Sequence, residues 1–445
     1  MTAFFNVLFS LISDYFPLIL LILCGIYLSF SGHFFQITRL NDSIKLFYKA
    51  FKTKKKDAFS SFSAACTSLS AAVGTGNIAG VAGALSIGGA GAIFWMWISA
   101  LLGMAVKSAE ITLAVKYRQN NNGEYSGGTV YCIKNGLSST FHPLARLFCL
   151  AGLPAVLCTG NITQTNAAVS SFSNTTGIKI LSGIILAVLT FAVTRGGLKG
   201  IGNFTEKIVP VMSLLYILLC STVIIFNIDF LPEAFKMIIK GAFNPKAVTG
   251  GAVGSAMTAI LIGTQRGIFS NEAGLGTAGI VHAAASDAKT EAQGLFGIFE
   301  VFADTVILCT LTAITILCSR VKVGYSLSEF SPLVISALST LYGKFAAPII
   351  SVMLCLFAFS SIIGFAAYGK SFAEYLFGEK ISKIWFYFYP LGCIIGAVAK
   401  VKFAWDIAAF FNGIMLLINL PVIILLSDNA IMFLKKRKKD VKIKS

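Results

Sequence analysis

The feature that most limits what this chain can fold into is a run of apolar stretches, from one end to the other, each long enough to cross a bilayer. A spanning helix needs about 20 mostly apolar residues. The first stretch, residues 14–31, reads YFPLILLILCGIYLSFS after Asp14. Others follow at 58–87, 90–117, 144–172, 178–194, 204–226, 247–272, 293–318, 344–369, 384–399 and 402–427. Such a chain is expected to be an all-α polytopic membrane protein of about 11 transmembrane helices. Composition agrees, since 56% of the 445 residues are hydrophobic and only 12% charged, against roughly a quarter charged in soluble domains. The first stretch is expected to span rather than to be a cleaved leader, because no Lys or Arg precedes Arg39. With no long hydrophilic stretch, a single transmembrane domain is expected over residues 1–445.

A net charge of +17 could suggest a nucleic-acid partner, but its placement argues against one. Arg39, Lys45, Lys49, Lys52, Lys54, Lys55 and Lys56 fill one short loop, and Lys435 to Lys439 with Lys442 and Lys444 fill the tail. Both clusters abut apolar segments, the positive-inside signature of cytoplasmic ends. The expected site is the inner cell membrane, with the N-terminus outside and the 428–445 tail cytoplasmic. Lys236, Lys240, Lys246, Arg320 and Lys322 then fall outside and run against the trend. The ten cysteines form no CxxC pair, and His33, His142 and His282 lie far apart, so neither a disulfide framework nor a metal centre is expected.

Two spanning stretches are interrupted by glycine. One holds Val73-Gly74-Thr75-Gly76-Asn77-Ile78-Ala79-Gly80, the other Thr249-Gly250-Gly251-Ala252-Val253-Gly254-Ser255. With residues 14–31 set aside as an extra N-terminal helix, these are the first and sixth of ten spans. They hold matching places in two five-helix repeats, 58–226 and 247–427, which start on opposite sides of the membrane and are therefore inverted. Matched glycine breaks in inverted halves point to a transporter binding site.

A broken helix exposes free N–H groups at one half-helix start and free carbonyls at the other half-helix end. The first suits a carboxylate and the second Na⁺. One such site could hold a zwitterion and its coupling cation with no buried formal charge on the protein. Gly74 and Gly76 let the backbone turn, while Thr75 and Asn77 add polar side chains; Gly80 and Gly83 read better as helix-packing glycines. Gln164, within Gly160–Asn166, either faces the ligand or bridges helices. Ser360 and Ser361 either bind a cation or bond their own helix carbonyls. Glu300 and Asp304, four residues apart on one helix face, are either functional or a structural contact near a helix end. A dinucleotide site is excluded, because the spacing is not GxGxxG.

These residues resemble the alanine or glycine:cation symporter (sodium:alanine symporter) family. The likeness rests on Val73–Ala82 with Phe94–Met104, on Arg266-Gly267-Ile268-Phe269-Ser270-Asn271-Glu272-Ala273-Gly274-Leu275-Gly276, and on Ala358–Gly364 with Tyr368-Gly369. It covers most of the chain in the right order. The resemblance implies a LeuT-type inverted 5+5 repeat with one extra helix, importing a small neutral amino acid with Na⁺, or with H⁺ in some members. It implies that Gly74, Thr75, Gly76, Asn77, Gln164, Gly251, Gly254, Ser361 and Phe365 bind substrate. It also implies Na⁺ at Ser70, Val73, Ser360 and Ser361, with a second Na⁺ at Ala72 and Asn77. Phe365 stands where the family commonly has tryptophan. Ala366 and Lys370 replace residues that are commonly polar and acidic, and Thr264-Gln265 is an unexpected pair before Arg266. A neutral substrate larger than alanine or glycine, such as serine or glutamine, is therefore expected to fit. A channel would need a filter motif and an enzyme a catalytic constellation, and neither is visible. A sensor on the same fold shares every feature named so far.

Overall fold

The computed structural model describes residues 9, 11–53, 59–121, 124–172, 175–244, 256–324, 331–399 and 401–435. The chain enters through a π-helical turn, Leu11–Tyr15, into α1 (Phe16–Ser31). The basic loop is helical over α2 (Leu40–Lys52). The first broken span is α3 (Ser61–Ala72), a 3₁₀ turn at Thr75–Asn77 and α4 (Ala79–Gly88). Next come α5 (Gly91–Lys116), a two-stranded antiparallel hairpin (Gln119–Asn121 with Glu124–Ser126) and α6 (Thr129–Gly136). The third span of the first repeat is α7 (His142–Leu157), a π-helical turn at Cys158–Ile162 and α8 (Thr163–Ser170). It is followed by α9 (Thr176–Thr194), α10 (Gly197–Phe226) and α11 (Leu231–Phe243).

The second half is described from α12 (Ala256–Asn271), through the short buried α13 (Ala278–Ala284), to α14 (Thr290–Val301). A π-helical stretch, Phe302–Cys309, joins α14 to α15 (Thr310–Cys318). Then come α16 (Ser331–Tyr342), α17 (Ala346–Phe377), α18 (Leu391–Val398), α19 (Val401–Leu425) and α20 (Ser427–Lys435).

Among the described residues eight helices are long and apolar enough to span, or ten if each of two bent pairs counts as one. One bent pair is the expected first break, with 54° between Ser61–Ala72 and Thr75–Gly88. The eleven expected spans are not all counted, because the 247–272 span is described only over α12. The second glycine break, with Gly251 and Gly254, lies outside the described residues, as do Lys54 to Lys56 and the tail beyond Lys435.

Two apolar cores stack along α5 and α17. Met96 and Phe357 belong to one, and Ala100 and Ile362 to the other. Ser360 and Ser361 lie between them on α17, in a polar band at the seam. The outer faces of α9 and α10 are exposed and apolar, with Leu181, Ile185, Val188, Leu214 and Leu218 among them. That surface is far larger than a soluble monomer leaves open, and it suits lipid.

Candidate functional site

The first break is built by side chains that divert backbone amides. In a continuous helix the amides of Gly74 and Thr75 would donate to the carbonyls of Ser70 and Ala71. Instead Gly74 N–H donates to Asn77 Oδ1 at 3.0 Å, and Thr75 N–H to Gln164 Oε1 at 3.1 Å. The carbonyl end of α3 is thus left without its helical donors at membrane depth, which is tolerable only beside a polar ligand or cavity. Gly74 is extended, at φ −133° and ψ −158°. A Cβ there would sit 2.5 Å from Ser361 Oγ and 3.0 Å from Gln164 Oε1, so only glycine fits.

Ser360 and Ser361 are both fully buried. Ser361 Oγ donates to Val73 O across the helix interface at 3.4 Å, while Ser360 Oγ has no partner among the described residues. Neither makes the bond to its own helix carbonyl that was the alternative reading. Gly364, one turn on, lets α17 approach α3 closely: a Cβ there would lie 2.4 Å from Ser70 Oγ and 2.7 Å from Ala71 N. The structure therefore brings Ser361 to Val73 and, at Gly364, α17 to Ser70, while Ser360 lies buried on the same helix. A hydroxyl facing a carbonyl oxygen at a helix end offers the kind of oxygen donors that suit a hard cation.

Gln164 is tied to the break rather than only to its own helix. Its Oε1 accepts from both Thr75 N–H and Thr75 Oγ1, the latter at 2.9 Å. That amide oxygen is the acceptor at the start of the 3₁₀ turn. Phe365, only 3% exposed, packs its ring on the π turn of the third span; a Cβ at Gly160 would lie 2.2 Å from Phe365 Cγ. For Gly76 and Gly80 no atom lies within 4 Å of an added Cβ among the described residues. The packing role expected of Gly80 therefore finds no neighbour there.

The expectation of a break free of formal charge is overturned by Asp304. Asn77 Nδ2 donates to Asp304 Oδ1 at 2.7 Å, while Ser270 and Thr305 hydroxyls donate to Oδ2, both at 2.8 Å. Nor do Glu300 and Asp304 act as one pair on a helix face. They sit about one turn apart along the helix, the π-helical stretch begins between them, and each meets its own partners. Glu300 accepts from Ser68 Oγ (2.6 Å), contacts His282 Nε2 (2.7 Å) and pairs with Lys107 Nζ (3.2 Å). Lys107 also donates to Asn271 O at 2.9 Å, and Gln293 Nε2 meets His282 Nδ1 at 2.7 Å. Glu110 accepts from the amides of Gly276 and Gly279. Lys107 and Glu110 escaped the sequence reading although charges inside an apolar stretch are a signal in themselves. His282 was set aside on metal-ligand spacing, a criterion blind to ion pairs.

The helical break and the helix order define an all-α membrane protein of LeuT-type architecture. A solved structure of MhsT in complex with L-phenylalanine superposes with a TM-score of 0.58 over 84% of this chain and 92% of that one, at 12% identity. The chain belongs to the sodium:alanine symporter family, which it matches over residues 1–444. It is 37% identical to the sodium/alanine symporter AgcS of Methanococcus maripaludis, covering 95% of this chain and 94% of that protein. It is 36% identical to the probable sodium/glutamine symporter GlnT of Bacillus subtilis (94% and 87% covered) and 40% identical to an uncharacterized transporter of Haemophilus influenzae (92% and 90% covered). These are carriers and not enzymes.

Proposed function

We propose that this chain is a secondary active symporter that imports a small neutral amino acid together with Na⁺ by alternating access. One observation carries the reading: Asn77 and Gln164 take up the amides that would close the first helix, leaving its carbonyl end facing the Ser361 hydroxyl. The substrate carboxylate takes the place of Gln164 Oε1 at the amides of Gly74–Asn77, with Gly251 and Gly254 completing the site from the second break. One Na⁺ is held by Ser70 O, Val73 O, Ser360 Oγ and Ser361 Oγ. A second falls to Ala72 O and Asn77, where Asp304 supplies the balancing negative charge.

Ser361→Ala should raise the Na⁺ concentration for half-maximal uptake roughly tenfold, about 1–2 kcal/mol for one lost ligand. Uptake in proteoliposomes with an unchanged Na⁺ dependence would remove Ser361 from the site. Asp304 also puts a titratable group at the break, which would suit H⁺ in place of Na⁺, and imposed gradients separate the two.

Side-chain preference follows from Phe365. Its ring already lies on the backbone of Gly160, so the larger ring of Phe365→Trp must grow toward the substrate. Wild type should accept alanine, with serine and glutamine as competitors, and the variant should narrow toward glycine and alanine. A methylene in such a pocket shifts preference by only about 1–3 kcal/mol. Competition uptake reads this directly, and identical profiles would place Phe365 outside the pocket. Charged amino acids should fail against this apolar wall.

The orientation follows the basic clusters: inverted halves at 58–226 and 247–427, inner cell membrane, N-terminus outside and C-terminus cytoplasmic. Cysteine labelling that reached both termini from the same side would overturn it.

A further inference from the structure

We propose that the cleft between α6, α7 and the end of α17 is a binding site for the headgroup of an anionic phospholipid. Two adjoining lobes of about 440 and 480 Å³ open there, lined by Lys134 from α6, Ser139, His142, Pro143 and Arg146 at the start of α7, and Tyr375 from α17. Lys134 and Arg146 are exposed, and among the described residues neither meets a carboxylate. On the facing helix Glu374, next to Tyr375, is engaged by Lys370 at 2.5 Å. Two cations and an imidazole thus line one cleft, and none of the described residues lining it is acidic. Basic pockets between spanning helices at the membrane surface are where acidic lipid headgroups bind.

The flanking surface favours a lipid over a free anion. Arg146 and Leu150 are four residues apart and share one face of α7. Leu147 and Leu150 are 46% and 54% exposed. An apolar strip therefore leads from the guanidinium toward the bilayer core, in the direction acyl chains would run from a phosphate held by Arg146 and Lys134. The cleft opens at the end of the bundle that also carries α2, the end assigned to the cytoplasm.

The test uses the full chain, purified in neutral detergent and titrated with phosphatidylglycerol or phosphatidylcholine, with bound lipid counted by native mass spectrometry. Wild type should retain phosphatidylglycerol in preference to phosphatidylcholine. Lys134→Gln and Arg146→Gln should each weaken that retention about fivefold, the worth of roughly 1 kcal/mol per basic side chain near an anionic surface. Lys45→Gln with Lys49→Gln on α2 removes the same charge away from the cleft and should change retention by less than about twofold. Three results would each overturn the proposal: undiminished retention by the Lys134/Arg146 double variant, an equal loss in the α2 control, or displacement of the lipid from wild type by millimolar inorganic phosphate. The first two would mean no site in the cleft, and the third a site for a soluble anion.

Discussion

Gly74→Ala is expected to reduce uptake by about a hundredfold or more while leaving the protein folded. The backbone at Gly74 is extended, a conformation alanine adopts freely, so no strain arises from the torsion angles. The effect is steric and local. The added methyl would stand 2.5 Å from Ser361 Oγ and 3.0 Å from Gln164 Oε1, the two side chains that face the break from α17 and α8. Both must move, and a displacement of about 1 Å in a positioning group is enough for a hundredfold loss. Gly76→Ala is the comparison, because no described atom lies within 4 Å of its Cβ position, and its loss should be milder. Transport by Gly74→Ala within about threefold of wild type, at equal expression and melting temperature, would show that this backbone does not bind substrate.

The second large effect concerns stability. Lys107→Met should destabilise the protein by about 3–5 kcal/mol, because it strands Glu300 in a site where both side chains are wholly buried. The loss is sharpened by Glu110, Glu272 and Asp304, all buried and all within electrostatic reach of the same ammonium. Adding Glu300→Gln should restore much of the loss, since the amide still meets Ser68 and His282 without a charge to balance. Denaturation of the purified single and double variants measures this. Additive losses in the double variant would mean that the ion pair is not the unit of stability. Ser68 lies on the first half of the broken span, so the Glu300 cluster ties that half-helix to α5 and α14. The same variants should therefore change turnover as well.

Most of the spans were legible because length and hydropathy decide them, whereas the expected 384–399 span is a bent pair, Glu379–Phe388 with Leu391–Val398. The first break was legible because Gly-Thr-Gly-Asn has no other good use in the middle of an apolar stretch. Gln164 and the two serines were legible as polar groups where polarity is costly, and in the structure Gln164 bonds Thr75 and Ser361 bonds Val73 across helix interfaces. Lys107 and Glu110 were not, because a window of apolar residues averages away one or two charges. For Glu300 and Asp304 both readings stayed open, because spacing places two carboxylates on a face without naming the partners they meet. The basic loop was read as a charge cluster, whereas α2 also packs inward, with Phe47 stacked on Phe299 at 4.0 Å.

The central claim is that movement of a neutral amino acid is driven by Na⁺ through the site at the first break. Reconstitution of the full chain into proteoliposomes, with an imposed inward Na⁺ gradient and labelled alanine, tests it most directly. The expected result is accumulation above the external concentration, carrying net positive charge inward and collapsing when a Na⁺ ionophore dissipates the gradient. Uptake that only equilibrates, or that persists without Na⁺ and follows an imposed proton gradient, would contradict it.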